Sequence, residues 1–131
     1  MTNNSTNQYR SLADVLRLIN EGLTDFLDQP AKTAFDKGSS GDYPLHKIAI
    51  WGDIGAAAVL LANGADINAR GEDDDTPLHR AVAGGKAEMV DFLISQGADT
   101  HLKNRYGDTP LDHAIDPEIK KVFQRGGSDR T

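Results

Sequence analysis

Pro44-Leu45-His46, Pro77-Leu78-His79 and Pro110-Leu111-Asp112 are separated by 33 residues at both steps. The same step pairs Thr76 with Thr109, Ala81 with Ala114, Gly52 with Gly85, Leu60-Leu61 with Leu93-Ile94, and Gly64-Ala65-Asp66 with Gly97-Ala98-Asp99. A fixed period of this length marks a stacked array, because one such unit is too small to hide its own apolar face and its neighbours must complete the core.

Each unit reads as helix, turn, helix, extended loop. Thr76 and Thr109 suit the N-cap, and Pro77 and Pro110 fall at the first helical position, where a missing amide proton costs nothing. Gly84-Gly85 stops the first helix. Met89, Val90, Leu93 and Ile94 follow at helical spacing, and Gly97, like Gly64, stands just past the apolar run, where a left-handed C-cap suits glycine.

An array needs terminal units with a polar outer face. At the front, Ser11 precedes Leu12, Val15, Leu16 and Ile19, with Asp14 placed to complete a capping box. Gly22 ends that helix, and Leu23, Phe26 and Leu27 offer a second apolar strip before Pro30. At the back, Asp116-Pro117 opens a truncated helix in which Val122 and Phe123 align with Met89 and Val90, while Lys120, Lys121 and Arg125 face water. Residues 1–8 and 126–131 read as frayed tails.

Thr76-Pro77-Leu78-His79-Arg80-Ala81 resembles the ankyrin signature Thr-Pro-Leu-His-x-Ala, and Gly-Ala-Asp-Ile-Asn-Ala at 64–69 closes the preceding repeat in the same manner. The resemblance covers roughly residues 37–125 and implies an all-α ankyrin-repeat solenoid with short finger loops. A helical N-terminal cap is expected over 9–36, repeats over 37–69 and 70–102, and a third repeat serving as C-terminal cap over 103–125. Two residues depart from the pattern. Tyr43 replaces the capping threonine, which weakens that cap by about 1 kcal/mol. Asp74 replaces the glycine of the finger turn, where a positive φ is required that aspartate tolerates better than most residues.

Composition narrows the chemistry. Hydrophobic residues make up 38% of the 131-residue chain and 13 glycines are added to them, which fits a globular protein. Asp and Glu outnumber Lys and Arg 20 to 14, for a net charge of −6 that repels a phosphate backbone. With no cysteine, thiolate metal sites and thiol nucleophiles are excluded, and a reducing, cytoplasmic setting is expected. No secretory signal or 18-residue apolar run occurs. No nucleophile elbow, P-loop or dinucleotide fingerprint is present, so no enzyme activity and no cofactor are expected. The start of a calcium loop at Asp66-x-Asn68-x-Arg70-Gly71 fails at Arg70 and again at Pro77, where a bidentate glutamate belongs. His46 and His79 share one repeat column, so stacking explains them, and no metal site is expected. An enzymatic or metal-dependent reading would have to use His79, His101 or His113.

The family's binding surface, carried over column by column, implies partner contacts at Asp42, Ile50, Trp51, Glu72, Asp73, Asp75, Arg105, Tyr106 and Asp108. Trp51 has two readings, packing against the N-terminal cap or anchoring a partner from the concave side, and its register favours the second. Glu72-Asp73-Asp74-Asp75 places like charges side by side at about 0.7 kcal/mol per adjacent pair in water. A basic partner would reward that cost with faster, salt-sensitive association. The expectation is a non-catalytic protein-binding module, monomeric when free, with an acidic concave groove. In its narrowest form it is an inhibitor or immunity protein occluding a basic toxin such as a nuclease, because small stand-alone ankyrin proteins of this look include bacterial immunity proteins. The alternative within the same class is an adaptor or chaperone-like subunit bridging other proteins.

Overall fold

The structure, a computed structural model, describes residues 11–22, 26 and 30–128, with the backbone alone over 126–128. Its helices are α1 (Leu12–Gly22), α2 (Pro44–Trp51), α3 (Ile54–Ala62), α4 (Pro77–Ala83), α5 (Ala87–Ser95) and α6 (Pro117–Ser128). Short 3-10 turns cover Glu72–Asp74 and Pro110–His113. No strand occurs among the described residues.

Two layers stack along the array. The first helices pack in series, α2 on α4 and α4 on the Pro110–His113 turn, while α5 packs on α3 and α6 on α5. Between the layers lie Leu45, Ile48, Leu60, Leu78, Met89 and Leu93, all buried. Each such side chain contributes about 1.5–3 kcal/mol when fully removed from water. α1 lies against α2 and α3 and inserts Val15, Leu16 and Ile19 into the same core. Its start is held by the reciprocal bonds expected from the sequence: Ser11 N–H donates to Asp14 Oδ2 at 3.2 Å, and Asp14 N–H to Ser11 Oγ at 3.4 Å. Of the second apolar strip, Phe26 is buried, while Leu23 and Leu27 lie outside the described residues, as does the tail expected over 1–8.

The repeat step reappears as repeated bonds. Each finger is closed at its base by one backbone bond, Gly38 N–H to Asp42 O, Gly71 N–H to Asp75 O and Asn104 N–H to Asp108 O, at 2.8, 2.8 and 2.9 Å. At the tips the left-handed position is filled by Gly41, Asp74 and Gly107, with φ of 101°, 59° and 83°. Asp74 therefore adopts the conformation its column demands, and Asp73 beside it has φ 60°.

The first helices start as their sequences dictate. Thr76 Oγ1 accepts from His79 N–H at 3.3 Å, and His79 Nδ1 accepts from Thr76 N–H at 3.1 Å. Tyr43 makes no side-chain cap bond, but its N–H still donates to His46 Nδ1 at 3.1 Å. Both imidazoles thus complete the cap of their own helix. The third repeat shortens. Its first helix is reduced to the 3-10 turn Pro110–His113, with Asp112 accepting from Thr109 N–H at 2.8 Å, and Ala114 is already extended. α6 continues to Ser128, so the boundary expected at 125 falls inside a helix.

The rear face is less polar than the sequence suggests. Leu111 and Ile115 occupy the columns of Leu78 and Val82, which are buried, yet Ile115 is 88% exposed because no further layer covers it among the described residues.

Candidate partner-binding surface

The candidate residues divide into three groups. Asp42 is corrected first. It was expected on an exposed finger, but it is 1% exposed. Its Oδ1 accepts from Glu72 N–H at 2.8 Å and faces Arg80 at 3.3 Å, while Oδ2 faces Lys47 at 3.3 Å. Asp42 therefore ties finger to finger from inside and is not a surface contact.

Arg80 centres the same cluster. Besides Asp42 it lies 3.6 Å from Glu72 and 3.6 Å from Asp75. Asp75 also accepts from Asn104 Nδ2 at 3.0 Å. The repulsion expected within the acidic run is thus largely answered inside the chain, and only part of it is presented outward. Glu72 keeps about half its side chain in water. The sequence reading passed over Arg80 and buried Asn104. Their signal was a charge on an inner helix one turn from an acidic finger, and an asparagine in the column of Gly38 and Gly71.

The second group joins two finger tips. Arg105 N–H donates to the Asp73 carbonyl at 2.9 Å, and the Arg105 guanidinium lies 3.3 Å from Asp73 Oδ1 and 5.6 Å over the Tyr106 ring. The Tyr106 hydroxyl lies 3.4 Å from the same carboxylate oxygen. Tyr106 is nevertheless 67% exposed, a rigid ring held at its rim. Asp108 stands lower, its carboxylate 3.3 Å from His113 and its carbonyl bonded to His79.

Ile50 and Trp51 form the third group, at the end of α2. Ile50 is half-buried against Gly84, where an added Cβ would meet its carbonyl oxygen at 2.7 Å. Trp51 packs in part against the N-terminal cap and is in part open to solvent. Its ring tip lies 3.5 Å from the Cβ position of Gly22 at the end of α1, yet 38% of the residue is exposed.

The histidines have structural partners. His79 uses both ring nitrogens on backbone groups, His101 sits on an exposed loop beside Asp99, and His113 pairs with Asp108. Among the described residues no group of three or more His, Cys, Asp or Glu side chains is placed to hold a metal ion. No helix among them is long and apolar enough to cross a membrane.

Residues 45–94 match the family model for ankyrin repeats (many copies). That segment is thus built of ankyrin repeats, and such repeats are protein–protein interaction modules, typically without catalysis. No curated protein matches the chain.

Proposed function

We propose that this chain is a non-catalytic inhibitor that occludes a basic protein, a toxin such as a nuclease being the narrowest form. The observation that supports it is the pair of exposed aromatics in the family's contact columns, Trp51 at the end of α2 and Tyr106 on the third finger, the second beside the part-exposed carboxylate of Asp73. Exposed aromatic anchors in a polar rim are what binding hot spots are made of. A chain of net charge −6 adds long-range attraction for a cationic surface.

The test uses the full chain as bait at physiological salt, followed by assay of the retained protein with and without it. One basic protein is retained in stoichiometric amount and its activity falls. Trp51→Ala and Tyr106→Ala each weaken binding by about 30-fold, equivalent to ~2 kcal/mol. A retained protein that works unhindered in the complex, or that binds both variants as tightly as the parent, overturns the reading.

A further inference from the structure

The two ends of the array are sealed differently. A terminal unit needs a polar outer face. At the front α1 supplies one, laying Val15, Leu16 and Ile19 on the core and turning Arg17 and Glu21 to water. At the rear Leu111 is 45% and Ile115 88% exposed. One repeat earlier in the same columns, where the Pro110–His113 turn packs on α4, Leu78 and Val82 are 1% and 5% exposed. The face left open is therefore the stacking face itself, continuous with the series in which α2 packs on α4 and α4 on that turn.

A groove opens in that face because the third unit is cut short. α4 runs as far as Ala83, whereas its counterpart ends at His113 and Ala114 is extended, with ψ 118°. The missing turn leaves about 480 Å³ between the Pro110–His113 turn and α6, lined by Leu111, Ala114 and Phe123, with Asp112, Lys120 and Gln124 beside them. Ile115 follows Ala114 at its edge, almost wholly in water. The groove also carries one charge of each sign. Asp112 Oδ2 accepts from Thr109 N–H at 2.8 Å, which keeps the carboxylate ionised, and Lys103 and His113 add a weaker attraction from farther off. Neither Asp112 nor Lys120 has an ion pair among the described residues, whereas neighbouring Lys121 lies 3.6 Å from Glu118.

We infer that this rear face is an interface between two copies of the chain, related by a twofold axis, in which Ile115 of each copy enters the groove of the other and each Asp112 faces the other copy's Lys120. A stacking face accepts a unit of the same repeat shape. The front of another copy cannot supply it, because α1 already covers that end, so head-to-tail growth is closed and the two rears are left to meet. A twofold pair needs a self-complementary surface, and this one sets projection beside groove and acid beside base. The face of one repeat unit is small as interfaces go, and a net charge of −6 on each copy opposes the contact, so a dissociation constant of roughly 10–100 µM is expected. No groove residue belongs to the contact columns described above, so the dimer carries two finger surfaces.

The experiment is analytical ultracentrifugation of the full chain at physiological salt, from about 5 to about 500 µM, a range that brackets that constant. The parent passes from monomer to dimer and forms nothing larger. Ile115→Lys, at a position open to water, keeps its fold by circular dichroism and stays monomeric throughout. Asp112→Lys and Lys120→Asp each weaken the dimer by about tenfold, because each brings like charges together. Mixed in equal amounts, those two variants restore both opposite-charge contacts and associate about as tightly as the parent. Trp51→Ala leaves the dimer unchanged, which separates this face from the finger surface. A monomer at the highest concentration overturns the proposal, whether another segment of the chain or a different protein covers the face. So do assemblies beyond the dimer, a dimer indifferent to Ile115→Lys, or a mixture of the two charge variants that associates no better than either alone.

Discussion

His79 Nε2 stands 2.9 Å from the carbonyl oxygen of Asp108, and one repeat earlier His46 Nε2 stands 2.8 Å from that of Asp75. Since each Nδ1 accepts from its own cap, the proton sits on Nε2 and both rings are neutral. Each of these two imidazoles joins its helix to the finger of the next repeat.

Acid should loosen these joints first. Burial holds both imidazoles below the ordinary histidine value of 6.5, against the opposing pull of Asp42 on His46 and of the Asp108 carbonyl on His79. Between each depressed folded value and 6.5 the unfolded chain binds more protons. Stability is therefore fully present above about pH 6.5 and falls below it, by at most about 1.4 kcal/mol per pH unit for each histidine. Urea unfolding at pH 7.5 and 5.5 measures the loss, and His79→Gln flattens the profile.

Asp42→Asn should cost about 3 kcal/mol, because Arg80 and Lys47 lose the buried charge they face. Alanine at Glu72, whose pair with Arg80 is half in water, should cost less than about 1 kcal/mol. Equal midpoints for the two variants in denaturant would contradict the placement of Asp42.

Gly71→Ala should destabilise by about 1–3 kcal/mol. The new methyl would collide with Asp42 Oδ1 and lie 2.8 Å from His46 Nε2, and neither can retreat without breaking its own bonds. Gly85→Ala meets no atom within 4 Å and pays only for its φ of 69°. Thermal melts of the pair separate collision from backbone strain.

Asp74→Gly should stabilise slightly. The left-handed backbone costs a side-chain-bearing residue about 1–2 kcal/mol, and glycine's added entropy in the unfolded chain returns about 0.5–1. A net gain of about 0.5 kcal/mol is expected from φ 59°. A loss on chemical denaturation would mean that the Asp74 side chain stabilises the finger.

Ile115→Lys should leave stability within about 0.5 kcal/mol, whereas Val82→Lys, one repeat earlier in the same column, should unfold the chain. Circular dichroism distinguishes the two outcomes directly.

Local chemistry was legible in the sequence and pairwise geometry was not. Thr76-Pro77, Gly97 and the capping Ser11–Asp14 pair announce helix ends because each acts on its own neighbours. Asp42 reads as an exposed acid because the residue that buries it, Arg80, lies 38 positions away. Tyr106 was legible as a finger residue, but its bond to Asp73 depends on how two fingers meet.

The forward reach of the imidazoles gives the molecule a direction in time as well as in space. As the chain leaves the ribosome, the outer nitrogen of His46 gains its carbonyl partners only when Ala69 and Asp75 appear, 23 and 29 residues later, and His79 waits 29 residues for Asp108. Each latch shuts one unit behind the growing end. Asp112, with a carboxylate kept ionised by the Thr109 amide and no proton to pass on, ends the series.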